Sequence, residues 1–560
     1  MKIHRLQWFF LAGLGMLTIS CKSDLEVEPI ELQTLEQVFN TKDSAGVNAN
    51  RFLSDCYRFL PSMGNRVGDD FLDAATDDAV SSNATNTSIQ QLATGSYTAD
   101  SYQDNQWASN YSGIRKTSLF INNIDRVPLK GNISNGTSLN RVWKAEAKFL
   151  RAMFYFELVK RHGGVPILGD KVYQLEDNVE LPRNTFEECI NYIVQECDAV
   201  KDSLRIDPFN LTDFGRPTKA AALALKARAL LYAASPLYNG GNIDPQNPLT
   251  GYTDANNNRW QLAENAAKAV MDLNQFALEP EFTNVFITRN KERIFSKQGD
   301  NGKGIENNNG PVGYSQDVNN GRTSPTQELV DAFGMANGLP ITDANSGYDP
   351  EKPFEGREKR FYGTIFYNGA PWLGRGVQTF EGGGDKPGGT KQQTKTSYYL
   401  RKFMGNFETS TNYSSVNHDH ILFRYAEILL NYAEARNERL ASPDVSVYQM
   451  LEQLRERAGM NPYQLPSGLS KLAMRDWIQQ ERRKELAFEE HRFYDVRRWK
   501  LAETLFNNEV HGTLIFERGS SVIRQLNPIL QLAFEEKMYL APIPFSEVIK
   551  NPRMKQNPGW

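Results

Sequence analysis

Cys21 carries the most definite chemistry in the sequence. It follows Thr18-Ile19-Ser20 and closes a segment that opens with Lys2, His4 and Arg5 and runs through the apolar stretch Trp8 to Leu17. A basic start, an apolar core of about 7–15 residues and small residues before the cut describe a secretory signal peptide. The apolar stretch is too short to span a bilayer, which takes roughly 20 residues. A cysteine at the cut resembles a bacterial lipobox, in which the thiol takes the lipid. The sequence therefore predicts a signal peptide over 1–20. The mature chain then begins at a lipidated Cys21 and is held on a membrane surface by a short tether over 21–30.

Other reactive patterns are weaker. His418-Asp419-His420 would place two imidazoles on one face of a strand, a start for a zinc site. No third ligand lies nearby and the chain has only 6 histidines, so no metal is expected. Asp69-Asp70, Asp73 and Asp77-Asp78 lack the spacing of a calcium loop and read as a solvated acidic turn. Glycoside hydrolysis needs two carboxylates about 5–9.5 Å apart. Among 67 acidic residues no motif singles out such a pair. There is no Gly-x-Ser-x-Gly elbow and no Walker-type phosphate loop. No catalytic residue and no cofactor are predicted.

Binding is the better prospect. The chain is 11% aromatic, with 23 Tyr and 8 Trp. A sugar ring stacks its C–H face on an indole or phenol, and its hydroxyls need polar groups at the rim. Three loop aromatics with polar neighbours are candidates: Trp372 with Arg375, Tyr314 in Gly313-Tyr314-Ser315-Gln316-Asp317, and Tyr102 with Asn105. Trp107 starts a helix with Tyr111 and Ile114 and is assigned half to the core. With 63 basic and 67 acidic residues the net charge is −4, which gives no general field for nucleic acid.

Helices must position these loops. Trp143, Ala147, Leu150, Phe154 and Leu158 recur at the helical period, and the helix stops at Arg161-His162-Gly163-Gly164. Thr185 with Glu188 makes a capping box, and Thr218 opens an alanine-rich helix to about Ala234. Trp260, Ala263, Ala267 and Val270 mark another. Phe423 to Ala433 and Met450 to Ala458 follow, with one long charged helix over Ile478–Trp499 and an extended proline-rich end from Leu540. Cys189 and Cys197 share a helix and lie about 12 Å apart, too far for a disulfide. The middle, 281–418, is rich in Gly, Asn and Pro and reads as long loops that face ligand. The expected fold is mostly α: tetratricopeptide-like helix pairs over 31–280 and 419–560, carrying a loop-rich insertion.

Five blocks occur in order: Arg151–Val159 into Gly163-Gly164-Val165-Pro166; Ser324–Phe333; Arg424–Ala435; Glu481–Glu489 into His491–Asp495; and Pro542-Ile543-Pro544 with Gln556-Asn557-Pro558-Gly559. With Cys21 they resemble the SusD/RagB family of outer-membrane nutrient-binding lipoproteins over nearly the whole mature chain. The resemblance implies four tetratricopeptide-like helix pairs and no enzymatic activity. It implies a surface lid that captures an oligosaccharide, or in some members a peptide, for a SusC-like TonB-dependent transporter. It transfers no contact residue, because the loops diverge within the family. Within the blocks, Glu481, Arg482, Arg483, Glu485, Arg424 and Glu434 read as structural ion pairs. Two other readings stay open on sequence: a surface glycoside hydrolase or lyase, and a helical envelope adaptor without a small ligand.

Overall fold

The computed structural model describes residues 34–83, 87–174, 176–207, 209–240, 243–314, 320–519 and 521–560. The predicted leader, Cys21 and the tether lie outside the described residues. Helix starts follow local capping chemistry. The Thr185 hydroxyl accepts the Glu188 N–H (3.1 Å) while the Glu188 carboxylate accepts the Thr185 N–H (2.8 Å). Thr218 accepts the Ala221 N–H. The longer helices are α1 (Val47–Cys56), α2 (Trp107–Asn123), α3 (Leu139–His162), α4 (Phe186–Val200), α5 (Lys219–Ala234) and α6 (Asn258–Met271). After the loop-rich middle come α7 (Tyr425–Arg439), α8 (Val445–Arg457), α9 (Lys471–Glu485) and α10 (His491–Arg498).

From α2 to α7 each helix packs on the next, and α7 also packs on α8 and α9. Ala220, Ala221, Ala222, Ala224, Ala227 and Ala229 are fully buried, so α5 approaches its neighbours closely. Although the whole middle of the chain separates them in sequence, α7 seats directly on α6. The glycine-rich middle is therefore an excursion from one continuous helix stack. Such a stack buries each helix against its neighbours and leaves its loops free to vary. No helix among the described residues is long and apolar enough to cross a membrane.

Short antiparallel pairs frame the excursion. Strand β1 (Ala79–Ser81) pairs with β3 (Thr323–Pro325), and β2 (Arg293–Lys297) with β8 (His420–Arg424). Strand β4 (Ile365–Phe366) pairs with β7 (Tyr399–Leu400), and β5 (Pro371–Trp372) turns into β6 (Arg375–Gly376). A long hairpin, β9 (Glu509–Arg518) with β10 (Ser521–Gln531), lies after α10. The excursion has a small core of its own, built from Val312, Phe366, Trp372, Leu373, Val377, Tyr399, Met404, Phe407 and Tyr413.

Buried ion pairs weld this excursion to the scaffold. The Arg424 guanidinium, 1% exposed, donates to Glu292 (2.6 Å), Glu485 (2.7 Å) and Glu489 (2.7 Å). Arg360 meets Glu481 (2.6 Å) and Glu485 (2.9 Å). Arg482 meets Asp495 at 3.0 Å, and Arg498 donates to Glu434 at 2.8 Å. The charged block of α9 is thus structural, as its spacing predicted.

Three expectations are corrected. Ile478–Trp499 is not one helix: α9 ends at Glu485, and Phe488 and Glu490 take left-handed conformations (both φ 62°) before α10 begins. The break turns the Glu489 carboxylate onto Arg424 and Lys402, each at 2.7 Å. The C-terminal end is not wholly extended. A helix forms over Phe545–Lys550, the stretch after Pro544 that holds no proline. The acidic turn is solvated at Asp69 but not beyond it, because Asp70, Asp73 and Asp78 are fully buried and Asp77 nearly so. Asp78 takes Arg483 at 2.7 Å and Asp77 takes Arg492 at 2.7 Å, tying the N-terminal region to the last helices.

Candidate functional site

Tyr314 and Arg375 come together. The Arg375 guanidinium lies over the Tyr314 ring, 3.7 Å from its centre. Asp385 fixes this stack. Its fully buried carboxylate accepts both terminal nitrogens of Arg375 (2.7 and 3.2 Å) and the backbone N–H groups of Gly313 and Gln378 (2.8 Å each). One carboxylate therefore joins the Tyr314 loop to the β5–β6 hairpin. Gly313 permits the close approach: a Cβ there would lie 2.3 Å from the Gly384 carbonyl oxygen. The Gly382-Gly383-Gly384 run before Asp385 lets a second backbone pass beside the first.

The segment after Asp385 carries the face onward. Lys391, exposed, donates to the Val312 carbonyl at 2.7 Å. The Gln392 amide donates to Ser82 (3.0 Å) and Asn83 (2.6 Å), and Lys395 donates to the Asn83 carbonyl (2.8 Å). Beneath them the buried Asp70 carboxylate accepts from Ser81 (2.7 Å), Asn83 (3.2 Å) and Thr323 (3.3 Å). Burial pushes Asp70 up to about 6, against these hydrogen bonds, which favour its charged form. The result is a line of planar and polar side chains from Tyr314 and Arg375 through Lys391 and Gln392 to Asn83. A guanidinium stacked on a phenol is flat, and beside it the Gln392 amide oxygen and the Lys391 and Lys395 ammonium groups keep hydrogen-bonding capacity beyond their protein contacts.

The other predicted contacts fall elsewhere. Trp372 is fully buried, with Phe366, Phe407 and Tyr413 around it at ring distances of 4.7, 5.7 and 5.9 Å. Its indole N–H donates to the Tyr413 hydroxyl at 3.1 Å. It is the centre of the excursion's core and has no open face for a ligand, a correction to its place among the binding residues. Tyr102 packs on Tyr97 at 5.4 Å, and Tyr97 stacks on the C-terminal Trp560 at 5.3 Å. Asn105 is exposed, and its side-chain oxygen accepts the Trp107 N–H at 3.1 Å, where α2 begins. These two belong to the scaffold end and not to the Tyr314 cluster. His418 is taken up by Glu306 (3.0 Å), and the His420 ring accepts the Met63 N–H (3.2 Å). Asp385, Gln392 and Asn83 had no motif. The triple glycine ahead of Asp385 was their one visible signal.

Residues 291–560 match the SusD family, and residues 37–231 match the family described as "Starch-binding associating with outer membrane". The SusD-like protein P2 of Formosa agariphila is 27% identical over 81% of this chain and 80% of its own length. A SusD-like protein from Bacteroides fragilis NCTC 9343 has the same fold (TM-score 0.76, 29% identity, 92% of this chain and 98% of that one). A SusD-like carbohydrate binding protein from the same strain shares the fold at TM-score 0.73 and 23% identity, over 91% and 99% of the two chains. Two SusD-type family models thus match the chain on either side of the excursion's start, and the chain belongs to the SusD/RagB family.

Proposed function

We propose that this protein captures a glycan at the cell surface, held to the outer membrane by lipid on Cys21, and delivers it without chemical change to a SusC-like TonB-dependent transporter. Residues 281–418 form the ligand-facing insertion of one SusD-like unit. The observation that carries this reading is the Tyr314–Arg375 stack, pinned by Asp385 and continued by the Gln392 and Asn83 amides. It supplies a flat face and, beside it, hydrogen-bonding groups for hydroxyls, the two things a saccharide needs. Asp70 and Asp385, the carboxylates that build this face, are fully buried and spent on protein donors. Neither is placed to protonate or attack a glycosidic bond, which supports binding over hydrolysis. The matched family description and the carbohydrate-binding relative support the same ligand class.

The test is native electrophoresis of the protein in gels containing laminarin, starch or xylan, with reducing-end analysis of each mixture. Retardation by one glycan without new reducing ends, weakened by Arg375→Ala, is the expected result. New reducing ends, or retardation by none of the glycans, would overturn the reading. Cys21→Ala should move the protein from the outer-membrane fraction to the soluble fraction.

A further inference from the structure

Two clefts flank helix α9, away from the loop face. The first, about 330 Å³, lies between α9 and the 331–340 segment, with Trp477, Asp331, Gln480 and Lys484 among its walls. That is the lower end of the ~300–1,000 Å³ range of small-ligand pockets, room for one or two sugar rings. Trp477 is half-buried. The buried Arg455 guanidinium lies over its ring at 5.1 Å and donates to the Gly338 carbonyl at 3.0 Å on the opposite wall. One cation thus holds both walls, and a Cβ at Gly338 would meet it at 2.5 Å.

The polar groups here differ from those of the other clefts. Around Arg58 and Arg66 the lining charges are consumed: Arg66 by Asp104 and Glu490, and Lys297 by the Arg58 and Leu60 carbonyls and Ser62. In the α9 cleft, among the described residues, the Trp477 indole N–H, the Gln480 amide and the Asp476 carboxylate make no hydrogen bond to protein, and Asp476 feels only the charge of neighbouring Arg475. Asp331 spends one oxygen on Gln327 (2.7 Å) and keeps the other. A second cleft of about 360 Å³, walled by Trp260 and Trp499, also borders Asp476. Trp260 and Trp499 are each only 8% exposed, and the Trp499 N–H is spent on Glu434 (2.8 Å), so they show edges to that cleft, whereas the half-buried Trp477 opens onto the first.

We propose that the α9 face is a second saccharide-binding site, in which Trp477 stacks the sugar ring and Gln480, Asp476 and Asp331 take its hydroxyls. This rests on the reading of the chain as a glycan binder but not on the position of the loop site. One wall is helix α9 of the stack and the other the 331–340 segment of the excursion, so a long glycan would be held at two points.

The test uses the full-length protein in native gels of laminarin, starch or xylan. The variants are Trp477→Ala, Asp476→Ala at an exposed position that folding does not need, Arg375→Ala, and the double variant Trp477→Ala/Arg375→Ala. Losing one stacked ring should weaken retention by about tenfold in the gel that retards the wild type, and the double variant should lose more than either single change. Asp476→Ala should lose several-fold at an unchanged melting temperature. If both α9 variants are retained like the wild type while Arg375→Ala is not, the second site is wrong and the loop site stands. If no gel retards the wild type, the glycan reading falls and this site with it.

Discussion

Asp385→Ala is the sharpest perturbation of the loop face. The carboxylate is fully buried and accepts the Gly313 and Gln378 N–H groups at 2.8 Å each and Arg375 at 2.7 and 3.2 Å. Each N–H bond to a charged acceptor contributes about 1.5 kcal/mol. The Arg375 side chain is 32% exposed, so its pair is partly screened and adds at most about 1 kcal/mol. The loss is about 3–4 kcal/mol, and it falls on the junction of two loops and not on the helix stack. Amide exchange at Gly313 and Gln378 should therefore speed up by at least about 100-fold. The unfolding midpoint should fall as well, and glycan retention should drop with the Arg375 platform. Asp385→Asn keeps one acceptor oxygen and should fall between. Unchanged exchange at both amides together with unchanged retention would refute the argument that this carboxylate assembles the face.

Other outcomes follow from the packing. Trp372→Ala should cost about 3–5 kcal/mol and lower the unfolding midpoint, because it empties the centre of the excursion's core. A binding defect at full stability would instead restore Trp372 as a contact. Arg424→Met leaves Glu292, Glu485 and Glu489 buried without their shared cation, and denaturant unfolding should show a loss of about 3–5 kcal/mol. Asp73 is fully buried, and burial, reinforced by Asp78 and Glu490, lifts its carboxyl from the ordinary 3.8 to about 8. The folded chain holds that proton more tightly than the unfolded chain does. Stability therefore falls as pH rises between about 4 and 8, by at most ~1.4 kcal/mol per unit. Asp73→Asn should remove that slope, so its thermal advantage over the wild type grows from about pH 5 to about pH 8. Parallel melting curves of the two proteins would contradict this.

Periodicity and capping determined the scaffold from sequence. Thr185 with Glu188, Thr218 with the alanine run, and the Trp143–Leu158 stripe are local signals, because a helix satisfies its backbone within itself. The i,i+4 spacing showed that Glu481 and Glu485 share one helix face, while their cations, Arg360 and Arg424, come from distant segments. The break at Phe488–Glu490 was not legible, because distant Arg424 and Lys402 recruit Glu489 and turn the chain there. The loops were legible as loops, with Tyr314 as a loop aromatic and Arg375 as the polar neighbour of Trp372. Only the tertiary structure decided that Arg375 stacks on Tyr314 instead, that Asp385 joins them, and that Trp372 turns inward against Tyr413. The reason is physical: a loop side chain's exposure depends on which other loop packs over it, and chain separation carries no record of that choice. The same holds for Trp477, whose open cleft exists only because the 331–340 segment stands opposite α9.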